Sequence, residues 1–221
     1  MADRLQLHSY WRSSAAYRVR IGLNLKGLEY GTVPVHLVRD GGEQHTADYH
    51  ALNPQELVPV LLHGERVLRQ SQAILEYLDE TWPQHPLLPG GSRERARARA
   101  LAQTVACEIH PLNNLRVLQY FENTWHVPQP EREGWVQHWI GDGFAALEEM
   151  LAGHVGTGVF CVGDTPGIAD CCLVPQIYNA RRFGVDMAPY PTIRRIEAAC
   201  LALPAFDAAR PENQPDAPQA P

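Results

Sequence analysis

Residues 10–30 read YWRSSAAYRVRIGLNLKGLEY, and this stretch decides how the N-terminal half of the chain is interpreted. Its apolar residues alternate with polar residues or glycine, which by itself indicates a strand. The serines at its start, the two alanines that follow and the Lys26-Gly27 stop favour a helix over about 14–26 instead. We predict the helix, buried on more than one face. Its free N–H groups and positive dipole end would then lie beside Ser13, where they could hold an anion.

A mixed pattern of strands and helices surrounds this segment. The predicted strands cover residues 5–7, 32–38, 57–62 and 66–68, the last two as a hairpin. Pro59 cannot donate to a sheet ladder, so it should mark the first residue of its strand or a bend. A polar loop is expected over 39–50, and an amphipathic helix over 72–82 that Ser71 would cap.

A proline- and glycine-rich stretch separates two regions of different character. Residues 83–91 read PQHPLLPGG, with three prolines and two glycines in nine residues. The pattern after it is helical throughout, with helices predicted over 92–120 (kinked at Pro111), 131–151, 167–183 and 191–201 and a tail that is an ordered coil at best. We therefore predict an α/β domain over 1–83, a linker over 84–91 and an all-helical domain over 92–221.

Composition narrows the class of protein. The 221 residues carry a net charge of −6 from 19 basic and 25 acidic side chains, which argues against nucleic acid or an anionic membrane as the main partner. No apolar run approaches the roughly 20 residues of a membrane span, and no secretory signal is visible. The five cysteines show no CxxC spacing and are typical of reduced thiols in a cytoplasmic protein without a metal site.

Motifs along nearly the whole chain, from about residue 5 to residue 218, resemble those of zeta-class glutathione transferases of the maleylacetoacetate and maleylpyruvate isomerase type. The segments that carry the resemblance are SYWRSSAAYRVRIGLNLKGLEY, DYHALNPQELVPVL, LRQSQAILEYLDE, CEIHPLNNLRVLQY, GDTPGIADCCLVPQIYNARRFGVDMAPYPTI and ENQPDAP. The resemblance implies the glutathione transferase fold, in which a thioredoxin-like domain precedes a helical-bundle domain. It also implies glutathione as cofactor and a homodimer.

The resemblance also implies the site residues, position by position. Ser13 matches the serine that hydrogen-bonds the glutathione sulfur and stabilises its thiolate, and Ser14 and Ala15 complete that segment. The other implied contacts to glutathione are Gln44, Val58, Pro59 as a cis-proline, Gln70, Ser71 and, in the second domain, His110, Asn114, Leu115 and Arg116. The cationic residues expected to receive a dicarboxylate substrate are Arg12, Arg116 and Arg182. The catalytic set is then Ser13, Ser14 and Arg12, while Arg18 and Arg20 are expected to be structural or surface charges.

Two positions depart from the pattern of the family. Relatives of the animal and plant type have cysteine where this chain has Ala15, which removes one candidate thiol but leaves the serine. In GDTPGIAD, Gly167 replaces the Ser or Thr that caps the following helix. Glycine is a tolerable N-cap, and Asp170 can still accept from the Gly167 N–H, so we expect a small effect on stability and none on chemistry.

The implied reaction is a glutathione-dependent cis–trans isomerisation of a maleyl dicarboxylate. A thiolate adds to the carbon β to a carbonyl, the former double bond rotates as a single bond, and the thiolate leaves again. Two alternatives remain open: a zeta-like transferase acting on α-halo acids or other electrophiles, and a non-catalytic binding module, against which the retained Ser13 and the arginines count. The sequence leaves the choice between maleylacetoacetate and maleylpyruvate open.

Overall fold

The computed structural model describes residues 4–88 and 90–218, which fall into two compact units. The first unit comprises Met1–Leu87 together with Ala202–Pro221, and the second comprises Leu88–Leu201. The predicted boundary near residue 84 therefore lies close to the division of the structure. The prediction that the tail belongs to the helical domain is wrong, because residues after Leu201 pack with the N-terminal unit.

The N-terminal unit is built on a four-stranded sheet in the order β2-β1-β3-β4. Its strands are β1 Leu5–Ser9, β2 Tyr30–Pro34, β3 Val60–His63 and β4 Arg66–Arg69. β2 lies parallel to β1, β3 is antiparallel to β1, and β4 is antiparallel to β3. The four predicted strands are confirmed with shifted bounds. β2 begins earlier and ends earlier than expected, because it pairs residue for residue with β1 from Leu5↔Tyr30 to Ser9↔Pro34. β3 begins at Val60 and not at residue 57, so Pro59 precedes the strand.

The ambiguous segment after β1 is a helix, α1 Ser14–Leu25, with Lys26 as its C-cap. Every residue from Ala16 to Leu23 is buried, which explains why the apolar residues show no helical period. α1 packs on α3 Ser71–Thr81, and a Cβ placed on Gly22 would collide with the side chain of Leu75. Gly22 therefore allows the close approach of these two helices.

A short helix, α2 Ala47–Leu52, occupies the end of the segment that was predicted as a polar loop. Thr46 is its N-cap, and the Thr46 hydroxyl accepts from the Tyr49 N–H at 3.4 Å. The helix is only six residues long, too short for its apolar period to be visible in the sequence.

The second unit consists of helices joined by turns, and within its described residues the only β pairing is an isolated bridge between Thr157 and Gly163. The helices are α4 Ser92–Gln103, α5 Leu115–Asn123, α6 Gln129–Leu151, α7 Ile168–Arg182 and α8 Pro191–Leu201. The predicted single kinked helix over 92–120 is wrong. A π-helical segment and a 3-10 turn follow α4, and α5 starts afresh because Asn114 caps it with a side chain that accepts from the Arg116 N–H.

The start of α7 is held by a buried carboxylate. Asp170 accepts hydrogen bonds from the N–H groups of Gly167 and Cys161, each at 2.9 Å. Burial raises the pKa of Asp170 above its usual range, because the charged form loses its hydration. The predicted substitute cap is thus present, and the adjacent Cys171 and Cys172 are core residues as expected.

The described part of the tail, residues 204–218, contains helical turns where coil was expected. It forms α9 Pro204–Ala208 and a 3-10 turn, and the Asn24 side-chain amide of α1 donates to the Ala205 carbonyl oxygen at 3.0 Å. Phe206 and Ala209 are fully buried against the first unit. Across residues 4–88 and 90–218, no helix has the length and apolar character needed to cross a lipid bilayer.

A buried ion pair joins the end of α1 to α3. Lys26 Nζ lies 3.2 Å from Asp79 Oδ1, and the two side chains are 0% and 7% exposed. Lys26 also donates to the carbonyl oxygen of Trp82 at 2.7 Å, and Asp79 accepts from the Leu87 N–H at 2.5 Å. The pair therefore fixes the segment that leads out of the first unit.

Replacing Lys26 with methionine should lower the free energy of unfolding by about 3 kcal/mol, because Asp79 would remain buried without its counter-charge. Urea denaturation of the purified protein measures this change. The matched control is Arg39→Gln, which breaks an exposed pair with Glu43 and should leave stability unchanged within error. Equal effects of the two substitutions would contradict the structural role assigned to Lys26.

Candidate active site

The segments that carry most of the predicted site residues of the first unit meet at one edge of its sheet. β1, β2 and β4 point in the same direction and β3 in the opposite one. The chain therefore leaves β1, β2 and β4 at the same edge at which it enters β3. Ser13, Gln44, Val58 and Gln70 all lie in these edge segments, close to the strand ends where ligands of α/β sheets commonly bind.

Ser13 occupies the N-cap of α1. Its Oγ accepts from the Ala16 N–H at 3.2 Å, and its own N–H donates to the Tyr10 carbonyl oxygen at 3.0 Å. The hydroxyl proton remains available to a ligand, because a hydroxyl can donate while it accepts. The sequence predicted a serine cap without deciding between the two serines, and the structure assigns it to Ser13. Ser14 is the first helical residue, and Ala15 completes the first turn beside it.

Two arginines of α1 are buried beneath this edge. Arg20 is fully buried and donates to the carbonyl oxygen of Trp11 at 2.9 Å and to Ser9 Oγ at 3.1 Å. Arg18, only 2% exposed, donates to Ser71 Oγ at 3.2 Å. Both are structural, as expected, but they also place positive charge under two helix N-termini and so favour an anion there.

Arg12 precedes Ser13 and is partly exposed, with its guanidinium 5.3 Å from the centre of the Trp11 ring. It is therefore stacked on an aromatic face and remains accessible at the edge of the sheet.

The peptide bond between Val58 and Pro59 is cis, as predicted, and it directly precedes β3. The preceding carbonyl oxygen, of Leu57, accepts from the Tyr49 hydroxyl at 2.8 Å and from the Asn53 side-chain amide at 2.7 Å. Among the described residues, none is hydrogen-bonded to the Val58 N–H or C=O. This short stretch of backbone can therefore pair with an extended peptide ligand.

Gln70 and Ser71 form the start of α3. Gln70 has a positive φ of 68° and gives the helix no side-chain cap, while its amide donates to Gln55 Oε1 at 2.8 Å. Ser71 is the first helical residue and holds Arg18 instead of capping, so the predicted cap is wrong. The N-terminus of α3 is consequently left without a side-chain cap at the edge of the sheet, where it can bind a negatively charged group.

Gln44 is buried in the segment that follows β2. Its amide nitrogen donates to the Leu37 carbonyl oxygen at 3.3 Å and lies 3.0 Å from His45 Nε2. Its amide oxygen is shielded from solvent and takes no hydrogen bond from the part of the chain that the structure describes. That oxygen is therefore a buried acceptor whose capacity for hydrogen bonds is unused within the described residues.

The second unit has its own cluster of predicted residues at the turn before α5. Asn114 caps α5 and its amide nitrogen lies 3.4 Å from His110 Nε2, while Leu115 and Arg116 open the helix. Arg116 is exposed, which suits a group that receives an anionic ligand. His110 is partly buried beside the cap.

Arg182 is the last residue of α7. Asn179, one helical turn earlier, donates to the side chain of Asn113 at 3.2 Å and so joins α7 to the turn. Arg182 is exposed and its guanidinium stacks 4.7 Å from the centre of the Phe183 ring. The neighbouring Arg181 forms an ion pair with Glu197 at 2.5 Å.

Sequence reasoning missed the residues that support the loop before the cis-proline. Glu56, at a positive φ of 54°, accepts from His45 at 2.6 Å and from His50 at 2.8 Å. Tyr49 holds the Leu57 carbonyl oxygen as described above. These contacts join α2 to the cis-proline loop, and no local sequence pattern indicates them, because side chains six to eleven residues apart must first be brought together.

Two family models match this chain. One is described as the glutathione S-transferase N-terminal domain and matches residues 12–81, and the other, as the C-terminal domain, matches residues 129–208. The chain is also 55% identical over 213 residues to a probable maleylacetoacetate isomerase of Vibrio cholerae, with 96% of this chain and 98% of the relative covered.

Solved structures give the same result. The holo structure of a bacterial maleylpyruvate isomerase, a zeta-class glutathione S-transferase, matches with a TM-score of 0.93 and 47% identity over 96% of this chain and 100% of that chain. A maleylacetoacetate isomerase from Anaeromyxobacter dehalogenans, with dicarboxyethyl glutathione and citrate in its active site, matches with a TM-score of 0.86 and 45% identity over 99% and 100%. The chain therefore belongs to the glutathione S-transferase family, within its zeta class.

The loop before the cis-proline should make stability depend on acid pH through Glu56. Hydrogen bonds from His50 and His45 hold the pKa of Glu56 below its usual value. The stabilisation of the folded state by these hydrogen bonds to the Glu56 carboxylate is therefore fully present above the unfolded-state pKa of about 4.3. It is lost as the pH falls below that value. Glu56→Gln should lower stability at neutral pH and flatten the decline below about pH 4.3. Urea unfolding across this pH range measures both, and an unchanged acid slope would contradict the role of Glu56.

Proposed function

We propose that this protein is a glutathione-dependent cis–trans isomerase that converts a maleyl dicarboxylate, maleylacetoacetate or maleylpyruvate, to its fumaryl form. The observation that carries the proposal is the meeting of three features at one edge of the sheet. These are the Ser13 hydroxyl at the start of α1, the cis-Val58–Pro59 bond and the N-terminus of α3. The relatives described above carry the names of isomerases for these two substrates.

The residues of the first unit fit glutathione, which is a short extended peptide with two carboxylates and a thiol. The backbone of Val58 can pair with its cysteinyl unit, and Gln44 is proposed as a polar contact of its glycine end. Gln70, Ser71 and the start of α3 offer donors to a carboxylate at the γ-glutamyl end. Pro59 holds Val58 in place for this pairing.

When bound, glutathione supplies the thiolate that adds to the maleyl double bond and leaves after the bond has rotated. A thiol with a reference pKa of about 8.5 is mostly protonated at neutral pH, so the protein must favour its anion. The Ser13 hydroxyl can donate to it, and the N–H groups and dipole of the first turn, with Ser14 and Ala15, lower its pKa further. The buried Arg18 adds positive charge beneath the same edge.

The substrate carries carboxylates that must be held while its double bond reacts. Arg12, Arg116 and Arg182 are proposed to bind them, because a guanidinium presents two donors in the plane of a carboxylate. Arg116 and Arg182 are exposed and Arg12 is partly exposed, which suits side chains that receive an anionic ligand. His110, Asn114 and Leu115 are proposed as further contacts of glutathione.

We further propose that the enzyme is a cytoplasmic homodimer. All five cysteines are free thiols and four of them are buried, which suits a reducing compartment. The dimer rests on the resemblance to the family.

One assay separates the isomerase from the alternatives. The maleyl compound is supplied with a catalytic amount of glutathione, and the loss of its enol absorbance is followed. Turnover with glutathione unconsumed supports the proposal, and the relative kcat/KM for the two maleyl compounds identifies the preferred substrate. Conjugation of α-halo acids alone would indicate a transferase, and glutathione binding without turnover would indicate a binding module.

Ser13→Ala should lower kcat about a hundredfold, because it removes a donor to the thiolate. It also removes the N-cap, which costs about 1 kcal/mol of stability, whereas Ser13→Gly preserves the cap to within a few tenths. Ser13→Thr keeps both the hydroxyl and the cap. Steady-state kinetics and thermal unfolding of the three variants separate the two roles. If Ser13→Gly kept full activity, Ser13 would be a cap only.

Arg182→Ala should raise the KM for the maleyl substrate about tenfold and leave the KM for glutathione unchanged, because it removes a charged partner of the substrate carboxylate. Arg12→Ala should act in the same direction. Arg181→Ala is the matched control: it loses the contact with Glu197 and some stability but should keep both KM values. If Arg181→Ala raised the substrate KM more than Arg182→Ala did, Arg181 and not Arg182 would be the substrate-binding residue.

A further inference from the structure

The end of the chain returns to the loop that carries the active serine. The backbone N–H of Trp11 donates to Asp216 Oδ2 at 2.8 Å, a contact between residues 205 positions apart. Both residues belong to the first unit. Trp11 lies two residues before Ser13, so this hydrogen bond acts on the backbone that leads into α1.

The same loop is held from its other side by Arg20. The Arg20 guanidinium donates to the carbonyl oxygens of Tyr10 at 3.4 Å and Trp11 at 2.9 Å, and also to that of Ala209 in the tail at 3.0 Å. The N–H and C=O of Trp11 are therefore both bound to charged side chains. Such charge-assisted hydrogen bonds are stronger than neutral ones and restrict the loop before Ser13.

The tail is itself rigid enough to hold a loop in place. Phe206 and Ala209 are fully buried, and the side-chain amide of Gln214 donates to the carbonyl oxygens of Ala208 at 3.0 Å and Arg210 at 2.8 Å. Asp216 follows this anchored turn by two residues. Its second oxygen, Oδ1, is shielded from solvent and accepts no hydrogen bond from residues 4–88 or 90–218.

We infer that Asp216 is a positioning residue for the reaction proposed above: by fixing the Trp11 N–H, it sets the orientation of the Ser13 hydroxyl and of the first turn of α1. The inference rests on the proposed function only for the measurement of kcat, because the thiol pKa and amide exchange can be measured without turnover. Small displacements of a group that stabilises a reacting atom reduce catalysis strongly, whereas the fold itself needs no such accuracy at Trp11.

The test compares Asp216→Ala with Asp216→Asn in the full-length protein. Asparagine retains an oxygen that can accept from the Trp11 N–H but carries no charge. We expect Asp216→Ala to lower kcat about tenfold with little change in the KM for the maleyl substrate. We also expect the pKa of the bound glutathione thiol, measured from thiolate ultraviolet absorbance, to rise, and amide exchange of the peptide containing Trp11 to accelerate. Asp216→Asn should keep kcat, the thiol pKa and the amide exchange rate near their wild-type values.

Asp207→Asn serves as the matched control, because Asp207 lies in the same tail with an exposed ion pair to Arg210 at 3.3 Å. It should leave all three readouts unchanged. A lower melting temperature of Asp216→Ala with unchanged kcat and thiol pKa would show a purely structural contact and overturn the inference. Lowering of the thiol pKa in both Asp216 variants would overturn it too, since charge and not position would then be at work. If Asp216→Ala does not fold, Asp216→Glu replaces it, because it keeps the charge but displaces the carboxylate by one methylene; a lower kcat with a raised thiol pKa supports the inference, and wild-type values of both overturn it.

The two proposals fail in different ways. A wild-type protein that binds glutathione as a thiolate but does not turn over either maleyl compound would refute the isomerase. The effect of Asp216 on the thiol pKa and on amide exchange would still be measurable in that protein.

Discussion

The guanidinium of Arg20 is fully buried in α1, where a charge is tolerated only if hydrogen bonds replace its hydration. It finds acceptors in the Ser9 hydroxyl, the carbonyl oxygens of the β1–α1 loop and the tail. The hydrogen bonds of the Arg20 guanidinium therefore connect the end of β1, the loop before Ser13 and the C-terminal tail. The placement of the α1 N-terminus at the edge of the sheet depends on it.

The other irregular segments of the site are likewise held by buried hydrogen bonds. Tyr49 and Asn53 both bind the carbonyl oxygen before the cis-Val58–Pro59 bond, and Arg18 joins α1 to the start of α3 through Ser71. Backbone and helix ends that would otherwise be satisfied internally are thereby left available at one edge. The proposed chemistry uses these groups, because a thiolate needs donors that are already in position.

Much of the fold was predictable because it depends on local signals. The strands, the Pro59 position and the starts of α6, α7 and α8 are marked by alternation, proline or capping residues. The errors lie where the signal is not local. The expected long helix from Ser92 breaks into pieces before Asn114, and the expected coil after Pro204 folds into a helix because it buries Phe206 on the first unit. Short helices such as α2 are too brief to show a period.

By itself, the sequence determined the order of elements, the family resemblance and the identity of the candidate groups, because each of these is written in contiguous motifs such as YWRSSAAYRVRI. Only the tertiary structure decided which serine caps α1, which of two adjacent arginines is occupied by Glu197, and that Asp216 reaches Trp11. The physical reason is that these are hydrogen bonds between distant or equivalent residues. Their partners are set by the packing of the whole unit and leave no trace in the local pattern.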